Sequence, residues 1–496
     1  MAARRIRTRS VAKSAALPWP SLPAEVRLLI LEEIAHQGHR GWGSSAAVCR
    51  EWQHVIEAAN FHKLCLRVPC LDEFARIASP RKQALIHHLC LDVELPPYKS
   101  TCCAPRASRP VPIRCIVSKA IWRLFSILST WDPAGSLALE INVYSCSDCE
   151  HWCKNFYLSS DYVQYAKGTE PDLWGERILF HDPPHGWSLG SQVRSPPRIA
   201  MLRLFRPIHL RFRQVLPQVG AVTSLIIRRQ LRRCIAEYGL GLLLRSLSRL
   251  EHLCYEPWVP YETSDRQTHD EQILGLFNAM RDNLPDTLRR LIVFEDSYRF
   301  YKSFLIGRNY LSWVYQFNTN ARLSAFFASK SRSLQHLAIS FMVDADDLLR
   351  HCQPTWSWWH LQSIALTSQL LRVWKDRGQI ETLLCRAGVL VQKMPELHTF
   401  VLWNGGKSHA CAFIYRIDRD RPSVTWRGTW DLELTSPVVQ SWQCAASRLR
   451  RPELQLKQEH IQEYIACHGD AIYHLELPCQ VVDPASLWQI RREGRG

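Results

Sequence analysis

The chain has 496 residues, 46% of them hydrophobic, and its 62 Lys and Arg against 46 Asp and Glu leave a formal net charge of +16. No apolar run approaches the roughly 18 to 20 residues that cross a bilayer, and the 18 cysteines are scattered along a chain without a signal-peptide opening. Membrane-spanning and secreted disulfide-framework classes are thereby set aside. What remains is a globular chain able to bury a large core in two to four domains, with reduced thiols and an expected cytoplasmic or nuclear location.

Met1 to Ala16 carries Arg4, Arg5, Arg7, Arg9 and Lys13 with no acid, a composition that cannot build a core. It fits a solvated, disordered tail, a nuclear import patch or an organellar presequence. From Leu17 to Phe61 the sequence reads as two short amphipathic helices. In the first, Leu22, Val26, Leu29 and Ile30 recur at i, i+4, i+7 and i+8. Pro23 falls in the first turn and Glu25 lies where the positive end of the helix dipole favours an anion. The helix is expected to run to about Ala35, with Gly38, Gly41 and Gly43 stopping it. Ser44 or Ser45 is expected to cap the second helix, whose Val48, Trp52, Val55, Ile56 and Ala59 share a stripe. Two helices of this size cannot bury both stripes against each other, so each must lean on a third element or a partner.

The series Leu22-Pro23-x-Glu25-Val26, Leu29-Ile30, Ile34 and then Val48-Cys49-Arg50-x-Trp52 resembles the F-box, the helical module that docks a protein onto the Skp-type adaptor of a cullin ubiquitin ligase. The resemblance implies adaptor-binding roles for Leu22, Pro23, Glu25, Val26, Leu29, Ile30, Ile34, Val48, Cys49 and Trp52. A Gly-rich link with Trp42 stands where many members of that family have a leucine-rich stretch. Periodicity leaves open which stripe faces outward.

After Phe61, residues 62–94 suggest a helix and then a strand at Leu89 to Leu95. Pro96 to Pro112, with five prolines, Cys102 and Cys103, reads as a loop. A loose unit then recurs: Val222-x-x-Leu225-x-Ile227, Leu250-x-x-Leu253-x-Tyr255, Leu288-x-x-Leu291-x-Val293, Leu334-x-x-Leu337-x-Ile339, Leu361-x-x-Ile364-x-Leu366 and Leu397-x-x-Phe400-x-Leu402, at intervals of 28, 38, 46, 27 and 36 residues. Between the units lie helix-like stretches, including Ile273 to Asn283, Ala321 to Ser329 and Thr382 to Lys393. Each unit reads as helix, turn and short strand, which predicts an irregular leucine-rich-repeat-like solenoid; a compact α/β domain with such strands is the alternative. Leu137-x-Leu139-x-Ile141-x-Val143 extends the series upstream. Cys411 to Ile417 and Val424 to Leu434 predict a C-terminal β-hairpin. Ile472-x-x-Leu475-x-Leu477 predicts a last unit before the basic Arg491, Arg492 and Arg495. The expected fold class is α+β or α/β, divided into a tail (1–16), an F-box (17–62) and a leucine-rich-like domain (63–496). The region after the F-box resembles the C-terminal half of fungal F-box proteins.

Few residues suggest chemistry. Cys146-x-x-Cys149-x-His151-x-Cys153 has zinc-preferred atoms, but all four fall within eight residues and no second short-spaced pair follows, so buried reduced cysteines at a strand end are expected instead. His181 and His185 flank a Pro-rich turn. Gly405-Gly406-Lys407-Ser408 lacks the upstream glycine of a phosphate loop, and no hydrolase, zincin or dinucleotide motif occurs. Of the 19 tryptophans, Trp356, Trp358 and Trp359 cluster before a predicted strand, with core filling the plain role and a partner contact the sharper one. Arg228, Arg229, Arg232 and Arg233 suggest either a solvated helix face or a surface for an acidic partner. The expectation is therefore a protein without catalysis, cofactor or metal. It is a Skp-binding adaptor that presents a target protein to a cullin ubiquitin ligase, and its rival is a basic nucleic-acid-associated protein. An undetected hydrolase would need a pocket with convergent polar groups.

Overall fold

The computed structural model describes residues 19–37, 41–99, 113–152, 185–188, 191–194, 196–259, 266–296, 321–419, 421–447 and 453–494. The basic tail 1–16, Cys102 and Cys103, Cys153, His181 and Arg495 lie outside the described residues, as does the side chain of Cys149.

The chain is an α/β protein organised by one twelve-stranded sheet: β1 (Lys63–Arg67), β2 (His88–Leu95), β3 (Leu137–Ser145), β4 (Val222–Ile227), β5 (His252–Tyr255), β6 (Arg290–Phe294), β7 (His336–Ser340), β8 (Ser363–Thr367), β9 (Thr399–Gly406), β10 (His409–Asp418), β11 (Arg421–Gly428) and β12 (Gln455–His460). Each strand lies beside its predecessor in sequence. Pairing is parallel except in the meander β9–β10–β11, whose two contacts are antiparallel. The meander contains the predicted hairpin; Gly405 and Gly406 end β9, and Lys407-Ser408 form the tight turn to β10, with Ser408 at positive φ.

The recurring sequence unit accounts for this register. Its middle apolar residues form a ladder across neighbouring strands: Leu89, Leu139, Leu225, Leu253, Leu291, Leu337, Ile364 and Phe400 are each paired with the next. Its last residues form a second ladder on the same face, from Ile227 through Tyr255, Val293, Ile339 and Leu366 to Leu402. The opening residue of the five later units, Leu250, Leu288, Leu334, Leu361 and Leu397, precedes its strand and is buried beneath the turn, whereas Val222 opens β4 itself. Because side chains alternate along a strand, positions two apart share a face and parallel neighbours stack in rows.

The connecting helices all add to the core on that face: α3 (Leu71–Ile77), α4 (Ile113–Leu128), α6 (Glu237–Ser246), α7 (Arg266–Asn283), α8 (Ala321–Lys330), α9 (Ala345–Arg350), α10 (Arg377–Val391) and α11 (Ser436–Ala446). A further helix, α5 (Arg198–Phe205), joins Trp258 in a small separate cluster. The opposite face of the sheet from β5 to β10 is covered by α12 (His468–Leu475) and α13 (Pro484–Gly494), which bury Cys254, Ile292, Ala338, Ala365 and Val401. Gly405 lets α12 approach, since a Cβ there would collide with that of Ala471.

One expectation is corrected and two strands are new. Ile472 and Leu475 belong to helix α12, not to a strand, because their three-residue spacing suits a helix face equally well. β1 and β12 were not anticipated. The former follows a helix without turn residues, and the latter is a polar edge strand, QLKQEH.

Candidate functional site

The N-terminal helices are α1 (Ala24–Gln37) and α2 (Arg50–His62), with a 3₁₀ segment Trp42–Ala47 between them. Arg27, Leu31, Ile34 and Ala35, spaced i, i+4, i+7 and i+8, make up the less accessible side of α1, and Leu31 is fully buried. A polar clamp closes the hairpin. Arg27 Nε donates to Glu51 Oε1 at 2.8 Å, and Trp19 Nε1 to Glu51 Oε2 at 3.0 Å. Arg27 Nη1 also reaches the Leu22 carbonyl at 2.6 Å. Hydrogen bonds from Arg27 and then Trp19 hold the Glu51 carboxyl below its ordinary range. Trp52 lies tilted against Trp19 with ring centroids 5.1 Å apart. The clamp was not read in the sequence, because its partners lie 24 and 32 residues apart.

Of the apolar stripe predicted on α1, Val26 and Leu29 are left exposed while Leu22 and Ile30 are half-buried. Leu29 is 64% exposed, Val26 39% and Val48 62%, and Leu28 adds 45%. Pro23, Glu25 and Cys49 are exposed as well, whereas Leu22, Ile30, Ile34 and Trp52 are half-buried. Six of the ten named positions, Pro23, Glu25, Val26, Leu29, Val48 and Cys49, are thus exposed, whereas Ile34 falls on the less accessible side of α1. Trp52 instead serves the inside of the hairpin. The predicted Ser44 or Ser45 cap of α2 is not formed: the helix starts at Arg50 with Cys49 at the cap position, and Ser44 and Ser45 belong to the 3₁₀ segment. Helix α1 continues two residues past Ala35.

This hairpin has little interior of its own, since Leu31 and Ile56 are its only fully buried apolar side chains among the described residues. At about 1.5–3 kcal/mol for each buried Leu or Ile, they offset only a small part of the roughly 1–2 kcal/mol per residue that ordering the backbone costs. Anchorage comes at the end of α2, where Phe61 packs against the main core beneath Lys82 Nζ (5.2 Å) and Glu57 pairs with Arg81 at 3.1 Å. Helix α2 then passes directly into β1.

The four arginines considered for an acidic partner are neither solvated nor free. Arg228, Arg229, Arg232 and Arg233 are 5%, 2%, 1% and 3% exposed. Arg228 pairs with Glu140 (3.1 Å) and Asp483 (3.0 Å), and Arg229 with Asp296 and with Glu493 (2.7 Å). Arg232 reaches Glu493 at 2.8 Å and Arg233 reaches Asp148 at 2.5 Å. They join the ends of β3 and β4 to α13, and Arg491 of the predicted basic end is likewise buried on Asp470 at 3.0 Å. Burial raises the Glu256 carboxyl to about 7, with Asp483 adding to the shift, although Arg229 N and Asp483 N donate to it at 3.0 and 2.6 Å. This network locks the fold and leaves no arginine of the group for phosphates.

Cys146 is exposed rather than buried, at the end of β3. His151 Nε2 lies 3.2 Å from the Tyr98 carbonyl, and its ring stacks on His185 at 5.6 Å. Trp358 is buried and donates to Ser331 Oγ at 2.6 Å, and Trp356 is half-buried, whereas Trp359 is 66% exposed. Among the described residues no helix is long and apolar enough to cross a membrane.

Sequence comparison reaches only part of this architecture. No curated protein matches the chain. Residues 283–483, which run from the end of α7 through β6 to β12 and α12, match a family of unknown function (DUF6546).

Proposed function

We propose that the chain is a non-catalytic adaptor whose N-terminal hairpin is an F-box that docks on a Skp-type adaptor of a cullin ubiquitin ligase. The observation that carries this reading is the exposure of Val26, Leu29 and, just before α2, Val48 on a hairpin with two buried apolar side chains of its own among the described residues. Large apolar side chains left exposed among the described residues are what a partner-binding helix pair presents. Pro23 and Cys49 are exposed as well, and they stand in the sequence order that the F-box resemblance requires.

The body is read as a leucine-rich-like solenoid that holds the target protein. Strands laid down in sequence order, with all crossover helices but α5 adding to one face, support this, because each unit then contacts chiefly its neighbours. Ubiquitin transfer falls to other subunits of the ligase. In a coprecipitation the wild-type chain recovers the Skp-type adaptor and the Leu22→Ala/Pro23→Ala variant does not; equal recovery by both defeats the assignment.

A further inference from the structure

We propose that Cys65, Cys90 and Asp92 form a binding site for a thiophilic divalent cation of the zinc class. The site lies at the edge of the sheet where the N-terminal hairpin joins the body. In the parallel register of β1 and β2, Cys65 stands opposite Cys90, so both side chains leave the same face, and Asp92, two residues along β2, leaves it too. One ligand atom from each lies within 4.8 Å of the others. Cys90 Sγ is 3.7 Å from Asp92 Oδ1. A tetrahedral zinc with bonds of about 2.3 Å to sulfur and about 2.0–2.2 Å to oxygen needs edges of about 3.8 Å between two sulfurs and about 3.5 Å between sulfur and oxygen. Small side-chain rotations therefore complete three ligands, and solvent supplies the fourth from the side of Cys65.

The surroundings favour a cation over the alternatives. Asn142 on β3 stands opposite Asp92 and donates through Nδ2 to Asp92 Oδ1 at 3.0 Å, an outer partner that fixes the orientation of the carboxylate. Asn142 is 5% exposed, and its Oδ1 is buried without a partner among the described residues. Glu140 in the next strand is already satisfied by His88 at 3.0 Å and Arg228 at 3.1 Å, whereas Asp92 has no ion pair among the described residues. Further along the same face this row turns apolar, as Ile226, Cys254, Ile292 and Ala338. Two cysteines directly across parallel strands, about 4.8 Å apart at Cα, could also close a disulfide. A fixed carboxylate beside them serves a cation and gives a disulfide nothing. Cys65 is exposed and Cys90 buried, so an ion can enter along the outer strand.

A bound ion would tie β1 to β2 across the segment between Cys65 and Cys90. Since β1 continues directly from α2, it would also stiffen the seat of the hairpin. The test uses the full-length protein purified under reducing conditions without chelator. Elemental analysis is expected to find one zinc per chain. The Cys65→Ser and Cys90→Ser variants lose it, Asp92→Asn and Asn142→Ala weaken zinc affinity about 10- to 100-fold in competition with a chromophoric chelator, and Cys146→Ser is unaffected. Cobalt loaded in place of zinc should give a thiolate-to-metal charge-transfer band that Cys65→Ser, a change at an exposed edge position, abolishes. The proposal is overturned if wild-type protein binds no zinc, if the Cys65→Ser variant retains it with the band intact, or if intact-mass analysis finds the metal-free pair joined as a disulfide.

Discussion

Replacing Asp296 by Asn tests whether the buried ionic network holds the C-terminal helices onto the sheet. Asp296 lies just beyond β6 and is 2% exposed; it pairs with Arg229 and with His468 Nε2 at 3.3 Å, at the start of α12. Arg229 extends the chain of charges to Glu493 on α13 at 2.7 Å and lies 4.4 Å over the ring of Trp258. Asn fills the same space without the charge, leaving a guanidinium buried against one counter-ion in place of two. Breaking a buried pair on one side costs about 3–5 kcal/mol, and the surviving Glu493 places this case near 3. With an unfolding entropy of about 2.1 cal/mol/K per residue, a chain of this size loses about 1 kcal/mol per degree, so Tm should fall by about 3 °C. Scanning calorimetry supplies that number, and amide exchange should localise the loss to α12 and α13. Arg229→Met in the Asp296→Asn background should recover part of the loss, because it removes the orphaned charge. A change in Tm below about 0.5 °C with unaltered exchange in both helices would refute the reasoning. Burial alone would raise the Asp296 carboxyl, but Arg229 and then His468 overcome it and hold the group below the carboxylate range. Its contribution is therefore present above about pH 4 and is lost as pH falls further.

Glu256 acts in the opposite sense. Its carboxyl is raised from 4.5 to about 7, so its contribution is complete below about pH 4.5 and is lost as pH rises through about 7. Denaturant titrations between these values should show a slope of at most about 1.4 kcal/mol per pH unit from this group, and Glu256→Gln should remove it; an unchanged slope would contradict the assignment. Leu31→Ala, at a fully buried position, should cost about 2–5 kcal/mol and abolish amide protection in α1 while the sheet stays protected. Leu29→Ala, at a position 64% exposed, should stay within about 0.5 kcal/mol. Equal effects at the two positions in hydrogen exchange would mean that the helix faces have been assigned the wrong way round.

The strands were legible because each unit places two apolar residues on one face and a third in the turn before it, a pattern that few other structures satisfy repeatedly. Strands β4 to β9 begin within two residues of the spans their units mark. The same pattern misled at Ile472, where two apolar residues three apart suited α12 as well. The arginine run at 228–233 could not be read, since its counter-ions Asp148, Asp296 and Glu493 stand 85, 67 and 261 to 264 residues away. A charge run is ordinarily solvated, and only the packing of α13 against the strand ends buries this one. Cys65 and Cys90 escaped notice for a related reason: one thiol per strand has no spacing to recognise, whereas the compact cysteine cluster after β3 drew attention, and of its four side chains only those of Cys146 and His151 are described. On the hairpin, periodicity found the stripe on α1 but not the direction it faces, which the Arg27, Glu51 and Trp19 clamp decides.

The central claim is that the exposed side of the N-terminal hairpin is a docking surface, and titration calorimetry with a purified Skp-type adaptor addresses it most directly. Wild-type protein should bind one adaptor per chain. Leu29→Asp/Val48→Asp should weaken that binding by at least about 30-fold, the equivalent of a hot-spot loss of about 2 kcal/mol, with Tm unchanged because both side chains are already in water. Absence of binding by the wild-type chain, or equal affinity in the variant, would contradict the account.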